Sequence, residues 1–150
     1  MAHMTIRNFI VLTLVLIPLA ALAGCTPNYK ATDLDGIWIG QDQTINSRGK
    51  SLTTKTVTLT VDGDGLISGT TSWTLITGAG GNHEEKDVVK DAENVIGVFR
   101  PETGEFYLAE TQENGFWRGE LVNRNKLRAF LIQTGEKPVV STIELERKVD

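Results

Sequence analysis

From Gly36 onward the apolar residues of this chain recur at every second position rather than every 3.6, and that period commits it to β structure. Val57, Leu59 and Val61 alternate with Thr56, Thr58 and Thr60, the pattern of a strand with one buried face. Asp62-Gly63-Asp64-Gly65 follows, and Asp-Gly supplies the positive φ that a tight hairpin needs. Ile67, Gly69, Thr71, Trp73 and Leu75 then occupy one face of a return strand. Further strands are predicted at 95–100, 106–110, 116–123, 127–133 and 139–147, with residues 37–41 as the first. Their connections, such as Pro101-Glu102-Thr103-Gly104 and Asn123-Arg124-Asn125-Lys126, are turn-like in chemistry.

These strands predict an all-β domain over 36–150: an antiparallel up-and-down barrel of about eight strands, with a two-sheet sandwich as the alternative. The barrel is preferred because the last five strands need no long crossover and closure removes exposed edges. Eight strands leave an interior that side chains fill or that holds one small ligand. Residues 77–94 interrupt the rhythm. Gly78-Ala79-Gly80-Gly81 is flexible, and the charged run from His83 to Asp91 suits a long loop or a short helix. Gly80, Gly81, His83, Glu84 and Glu85 are therefore the candidate partner-binding loop.

The N-terminal segment has a different chemistry. Arg7 is its only charge before an apolar run from Phe9 to Ala23, about 15 residues long and interrupted by Pro18. A membrane-spanning helix needs roughly 20 apolar residues, so a cleaved leader fits better than a retained anchor. Met1-Ala2-His3-Met4 precedes it, and Met4 reads as its natural first residue. The run closes on Leu22-Ala23-Gly24-Cys25, which contains the only cysteine and resembles the lipobox of bacterial lipoproteins. That resemblance implies a signal peptide over 1–24 and a diacylglyceryl thioether on Cys25. It also implies cleavage before Cys25 and acylation of the new amino group, commonly with palmitate. Two or three acyl chains, at about 0.8 kcal/mol per buried CH₂, anchor a protein stably. Thr26, where some Gram-negative members carry a retention Asp, points to the outer membrane, on its periplasmic or surface face. Residues 25–35 are expected to form a short lipidated tether.

Composition narrows the function. Only Arg7 of the 15 Lys+Arg precedes Cys25, leaving 14 against 19 Asp+Glu in the rest, which is unsuited to nucleic acid. With Cys25 modified no thiol remains for a disulfide. Asp62-Gly63-Asp64-Gly65 lacks the remaining ligands of a calcium loop. His83 has only sequence-adjacent carboxylates as companions, so no metal or cofactor is expected. The serines lack a nucleophile-elbow context, and no acid pair stands out, so no catalytic residue is assigned. Trp38, Trp73 and Trp117 fall in three strands and are candidates for core or for an aromatic ligand pocket. Arg118, Glu120, Arg128, Glu144 and Arg147 alternate with apolar residues and are expected to pair on the outer wall.

Gly36-Ile37-Trp38, Gly65-Leu66-Ile67-Ser68-Gly69-Thr70 and Trp117-Arg118-Gly119-Glu120-Leu121 are similar in rhythm to avidin-type barrels, and Gly-x-Trp also opens the neighbouring calycins. The resemblance implies an eight-stranded meander. It transfers no binding residues, since Gly40 stands where the avidin motif carries its biotin-binding Asn. The functional expectation is a membrane-anchored, non-catalytic interaction module, an inhibitor or assembly accessory of an envelope protein. The alternative is a barrel that binds a small apolar ligand or lipid. Cavity volume separates them: a plugged interior favours the first and an open one the second.

Overall fold

The Thr/Val alternation at 56–61 lies inside a longer strand, and the same is true of most of the barrel wall. A computed structural model describes residues 28–82 and 87–149. After a short 3-10 turn at Ala31–Asp33, the strands are β1 (Gly36–Asn46), β2 (Gly49–Val61), β3 (Leu66–Gly78), β4 (Gly81–Asn82) and β5 (Asp87–Val88). They continue as β6 (Lys90–Arg100), β7 (Glu105–Glu110), β8 (Gly115–Asn123), β9 (Lys126–Gln133) and β10 (Val139–Arg147). Eight of them close into an antiparallel up-and-down barrel, ordered β1-β10-β9-β8-β7-β6-β3-β2, with β2 pairing back onto β1. The sandwich is thereby excluded. β4 and β5 form a separate two-stranded ribbon.

Two expectations change. Residues 77–82 and 87–94 contain no helix: β3 runs to Gly78, β6 begins at Lys90, and the ribbon lies between. Strand pairing satisfies their backbone groups, which a one-turn helix would leave largely unpaired. The first strand extends to Asn46 and turns at Ser47-Arg48 into β2, so 42–56 is barrel wall.

One end of the barrel is sealed by its own side chains. Leu34 and Trp38 are fully buried, and Val57, Leu59, Phe99, Phe106, Leu121, Leu127 and Leu145 pack around them. The expected tether contributes to this seal. Tyr29 is buried, its hydroxyl donates to the Leu121 carbonyl at 3.1 Å, and the Trp38 indole donates to the Leu34 carbonyl at 3.0 Å. From Tyr29 on, the chain therefore belongs to the domain. Gly104, at φ +77°, makes room for Tyr29: a Cβ there would stand 2.6 Å from its ring.

Arg147 is not an outer-wall residue. Its guanidinium lies 4.2 Å from the Trp38 ring centroid and donates to the carbonyls of Asp33, Asp35 and Arg124. A cation over a desolvated indole, with its N–H groups on backbone carbonyls, ties the N-terminal segment to the last strand. The other expected pairs do form outside: Arg128 Nε to Glu120 at 2.6 Å, Lys126 to Glu144 at 2.7 Å and Arg118 to Glu105 at 3.5 Å. Exposed pairs of this kind contribute at most about 1 kcal/mol each.

Candidate functional site: a polar open end

Along β2 the inward face reads Val61, Leu59, Val57 and then Lys55, Thr53, Ser51, all six buried or nearly so. The period does not change; the chemistry does. Neighbouring strands switch at a similar level. β6 passes from Phe99 and Val95 to Glu93 and Asp91, β7 from Phe106 and Leu108 to Glu110, and β10 from Leu145 and Ile143 to Ser141. The β1–β2 turn, the β3–β6 connection and the turns after β7 and β9 surround this end. Between them lies a cavity of about 90 Å³, several times what one water requires.

At its floor Lys55 and Asp42 form an ion pair at 3.4 Å with side chains only 4% and 1% exposed. Thr53 donates a hydroxyl hydrogen bond to Asp42, and Thr44 donates a second at 3.4 Å. Thr44 in turn shares a hydrogen bond of 2.5 Å with Ser141. Burial pushes the Asp42 carboxyl above its ordinary range, and the Lys55 ammonium opposes that shift. Lys55 also stands 5.3 Å from the centroid of Trp117, whose indole donates to Glu110 at 3.0 Å. Burial raises Glu110 as well, against the pull of that hydrogen bond and of Lys55.

Among the described carboxyls Glu93 is shifted furthest. Burial, followed by repulsion from Glu110, Glu113 and Asp91, pushes it up to about 7. It therefore exchanges its proton near neutrality. Its Oε2 and the Oγ1 of Thr71 are buried without a hydrogen-bond partner among the described residues.

The three tryptophans have separate fates. Trp38 lies in the sealed end, Trp117 lies under Lys55, and Trp73 alone lines the cavity. Gly80 and Gly81 form part of the mouth. Asn46 donates to the Gly80 carbonyl at 2.9 Å and Arg48 to the Gly81 carbonyl at 3.2 Å, fixing the rim. Cys25, His83, Glu84 and Glu85 lie outside the described residues. Sequence reasoning missed Asp42, Lys55, Thr71, Glu93 and Glu110, the convergent polar set. The readable signal was a lysine and acids in phase with the core positions of their own strands.

Fold and site together define a small closed meander barrel, apolar and filled at one end, polar and open at the other. No protein-family model matches the chain, and no curated protein matches it in sequence. Among solved structures it is similar to a protein of unknown function from the DUF3598 family of Nostoc punctiforme (TM-score 0.51, 17% identity). That match covers 81% of this chain and 50% of the other, so this chain spans about half of that protein's length. It is also similar to a de novo designed fluorescence-activating β-barrel (TM-score 0.48, 12% identity, 79% and 96% covered). A third is an S-type phycobiliprotein lyase from Guillardia theta (TM-score 0.47, 9% identity, 80% and 91% covered). At these identities the likeness concerns the fold alone.

Proposed function

We propose that this protein is a non-catalytic binding barrel that takes a small ligand with a polar head into its open end and is held to a membrane through Cys25. The observation that carries the first part is the cavity: the barrel is neither wholly plugged nor lined by aromatics, but gathers buried polar side chains around open space. Binding sites of this type combine a few convergent polar groups with apolar surface, and Trp73 and Leu131 supply the latter. A binding role fits better than catalysis because Thr71, which stands opposite Glu93 in register, has no hydrogen-bonded base among the described residues to activate it. The anchoring part rests on Leu22-Ala23-Gly24-Cys25.

The pocket is tested by mapping a small-fragment panel onto the backbone amides by NMR. Binders should shift Lys55, Thr71, Trp73 and Glu93 and leave Leu34, Phe106 and Leu145 still. Binders confined to the outer wall would remove the pocket reading. Anchoring is tested by fractionating cells that carry Cys25→Ser. The variant should leave the membrane fraction, and unchanged membrane association would rule out a lipidated Cys25.

A second reading, as an interaction module, has its own observation. Ile45, Val140, Ile132 and Phe116 are direct cross-strand neighbours over β1, β10, β9 and β8, and all four are exposed on the outer wall. A contiguous apolar row on a soluble face marks a contact surface. Replacing Ile132 and Phe116 with Ser should abolish partner capture from envelopes while leaving fragment binding intact.

A further inference from the structure

Thr71 on β3 and Glu93 on β6 stand directly opposite each other in register. Each ends in a buried oxygen without a hydrogen-bond partner among the described residues, and Thr71, only 4% exposed, lines the cavity. Two adjacent buried oxygens without partners, a hydroxyl that can donate or accept and a carboxylate that when ionised can only accept, cost stability unless a ligand group meets them. The surrounding charge says what kind of donor. Asp42, Asp91, Glu93, Glu110 and Glu113 line the cavity against Lys55 and Lys137, and Lys55 is engaged by Asp42. Among the described residues the pocket therefore has surplus negative charge, and Glu93 Oε2 and Thr71 Oγ1 are left short of a partner. An anion would meet repulsion there. A neutral donor would satisfy the oxygens and leave the charge unanswered. A metal ion is a poor fit, since among the described residues no three His, Cys, Asp or Glu converge to hold one.

We propose that the ligand carries an organic ammonium group that donates to Thr71 Oγ1 and Glu93 Oε2, with its carbon skeleton against Trp73 and Leu131. An ammonium brings three N–H donors and one positive charge, the two things this step is missing. Trp73 adds an aromatic face, which favours cations. The proposal rests on the reading of the open end as a ligand pocket.

Protonation of Glu93 should tune the affinity. The charged groups around it are Asp91 on its own strand, Glu110 on β7, Glu113 in the turn after β7, and Lys55, Asp42 and Lys137 across the cavity. The β3 residues facing it, Thr71 and Trp73, do not titrate. An alkylammonium keeps its charge throughout pH 6–8. Its affinity should therefore fall severalfold from pH 8 to pH 6 as Glu93 takes up a proton.

The experiment is a titration of the full-length chain in non-ionic detergent with matched probes: small primary amines, each with its alcohol and its carboxylate isostere. Binding is read from the Thr71, Trp73 and Glu93 amides and from tryptophan fluorescence. Amines should bind at least tenfold more tightly than their alcohols, and carboxylates should not bind. Glu93→Gln and Thr71→Val should each weaken the amine at least fivefold. If Glu93→Gln fails to fold, the pH series on the unaltered chain gives the same decision. Alcohols or carboxylates binding in the pocket as well as amines would overturn the ammonium assignment and leave the pocket standing. No probe of any charge moving those amides would overturn the pocket reading itself.

Discussion

The two ends of the barrel are built from the same eight strands in the same register, yet they obey opposite rules. At the sealed end the inward positions are apolar apart from Arg147, and the polar groups that enter, such as its guanidinium and the indole of Trp38, find partners immediately. At the open end inward positions carry Asp42, Lys55, Glu93 and Glu110, and two buried oxygens have no partner among the described residues. Burial of apolar surface stabilises at roughly 25 cal/mol per Å², whereas a buried ion pair is close to neutral against well-packed hydrophobic residues. One half therefore carries most of the stability of the fold, and the other contributes little to it.

Substitutions can break this contrast, and their expected effects fall in order. Trp38→Ala should be the most damaging, at about 3–5 kcal/mol, because it empties the sealed core and strips Arg147 of its aromatic contact. Urea denaturation would show it as a large fall in midpoint. Lys55→Ala should cost a similar or slightly smaller amount, about 3 kcal/mol, for a different reason: it leaves Asp42 buried without a counter-charge. The two variants separate on pH. Acid should partly rescue Lys55→Ala, since protonating Asp42 removes the uncompensated charge, and should not rescue Trp38→Ala.

Glu93 gives a smaller effect with a defined sign. Its folded-state carboxyl holds a proton up to about 7, while the unfolded chain releases it near 4.5. The native state thus binds more protons than the unfolded state across that window, and stability falls as pH rises from about 4.5 to 7. Glu93→Gln removes this slope. Allowing for solvent screening of a partly exposed group, it should raise stability by about 1 kcal/mol at pH 8 and leave it unchanged at pH 4. Equal effects at both pH values would show that Glu93 is not perturbed in this way.

Much of the fold could be read from the chain because the sealed end is where β periodicity and hydrophobicity coincide. Val57, Leu59 and Val61, or Phe106 and Leu108, announce both a strand and its inner face. The stretch 42–56 was silent for the same reason in reverse: Asp42, Thr44, Ser51, Thr53 and Lys55 keep the period but look like solvent-facing residues. Only closure of the barrel turns them inward. Glu110 meets Trp117 through a β7–β8 pair, and Lys55 meets Trp117 across the interior, so neither contact has a local signature. Arg147 was misplaced because alternation alone does not show that the strand's last inward residue caps the sealed end. The Gly-rich stretch at 78–81 reads in sequence only as flexible, and nothing local shows that Asn46 and Arg48 hold the Gly80 and Gly81 carbonyls at the mouth.

The division of labour is tested most directly by converting the floor of the open end to the chemistry of the sealed end. In the triple variant Asp42→Leu, Thr53→Val, Lys55→Met, the buried ion pair and one of its two hydroxyl partners are replaced together by apolar side chains, while Thr44 keeps its hydrogen bond with Ser141. Its unfolding free energy, measured beside the unaltered chain, should be equal or higher by up to about 4 kcal/mol. A loss of about 2 kcal/mol or more would contradict the contrast, because it would mean that the polar half supports the barrel as the apolar half does.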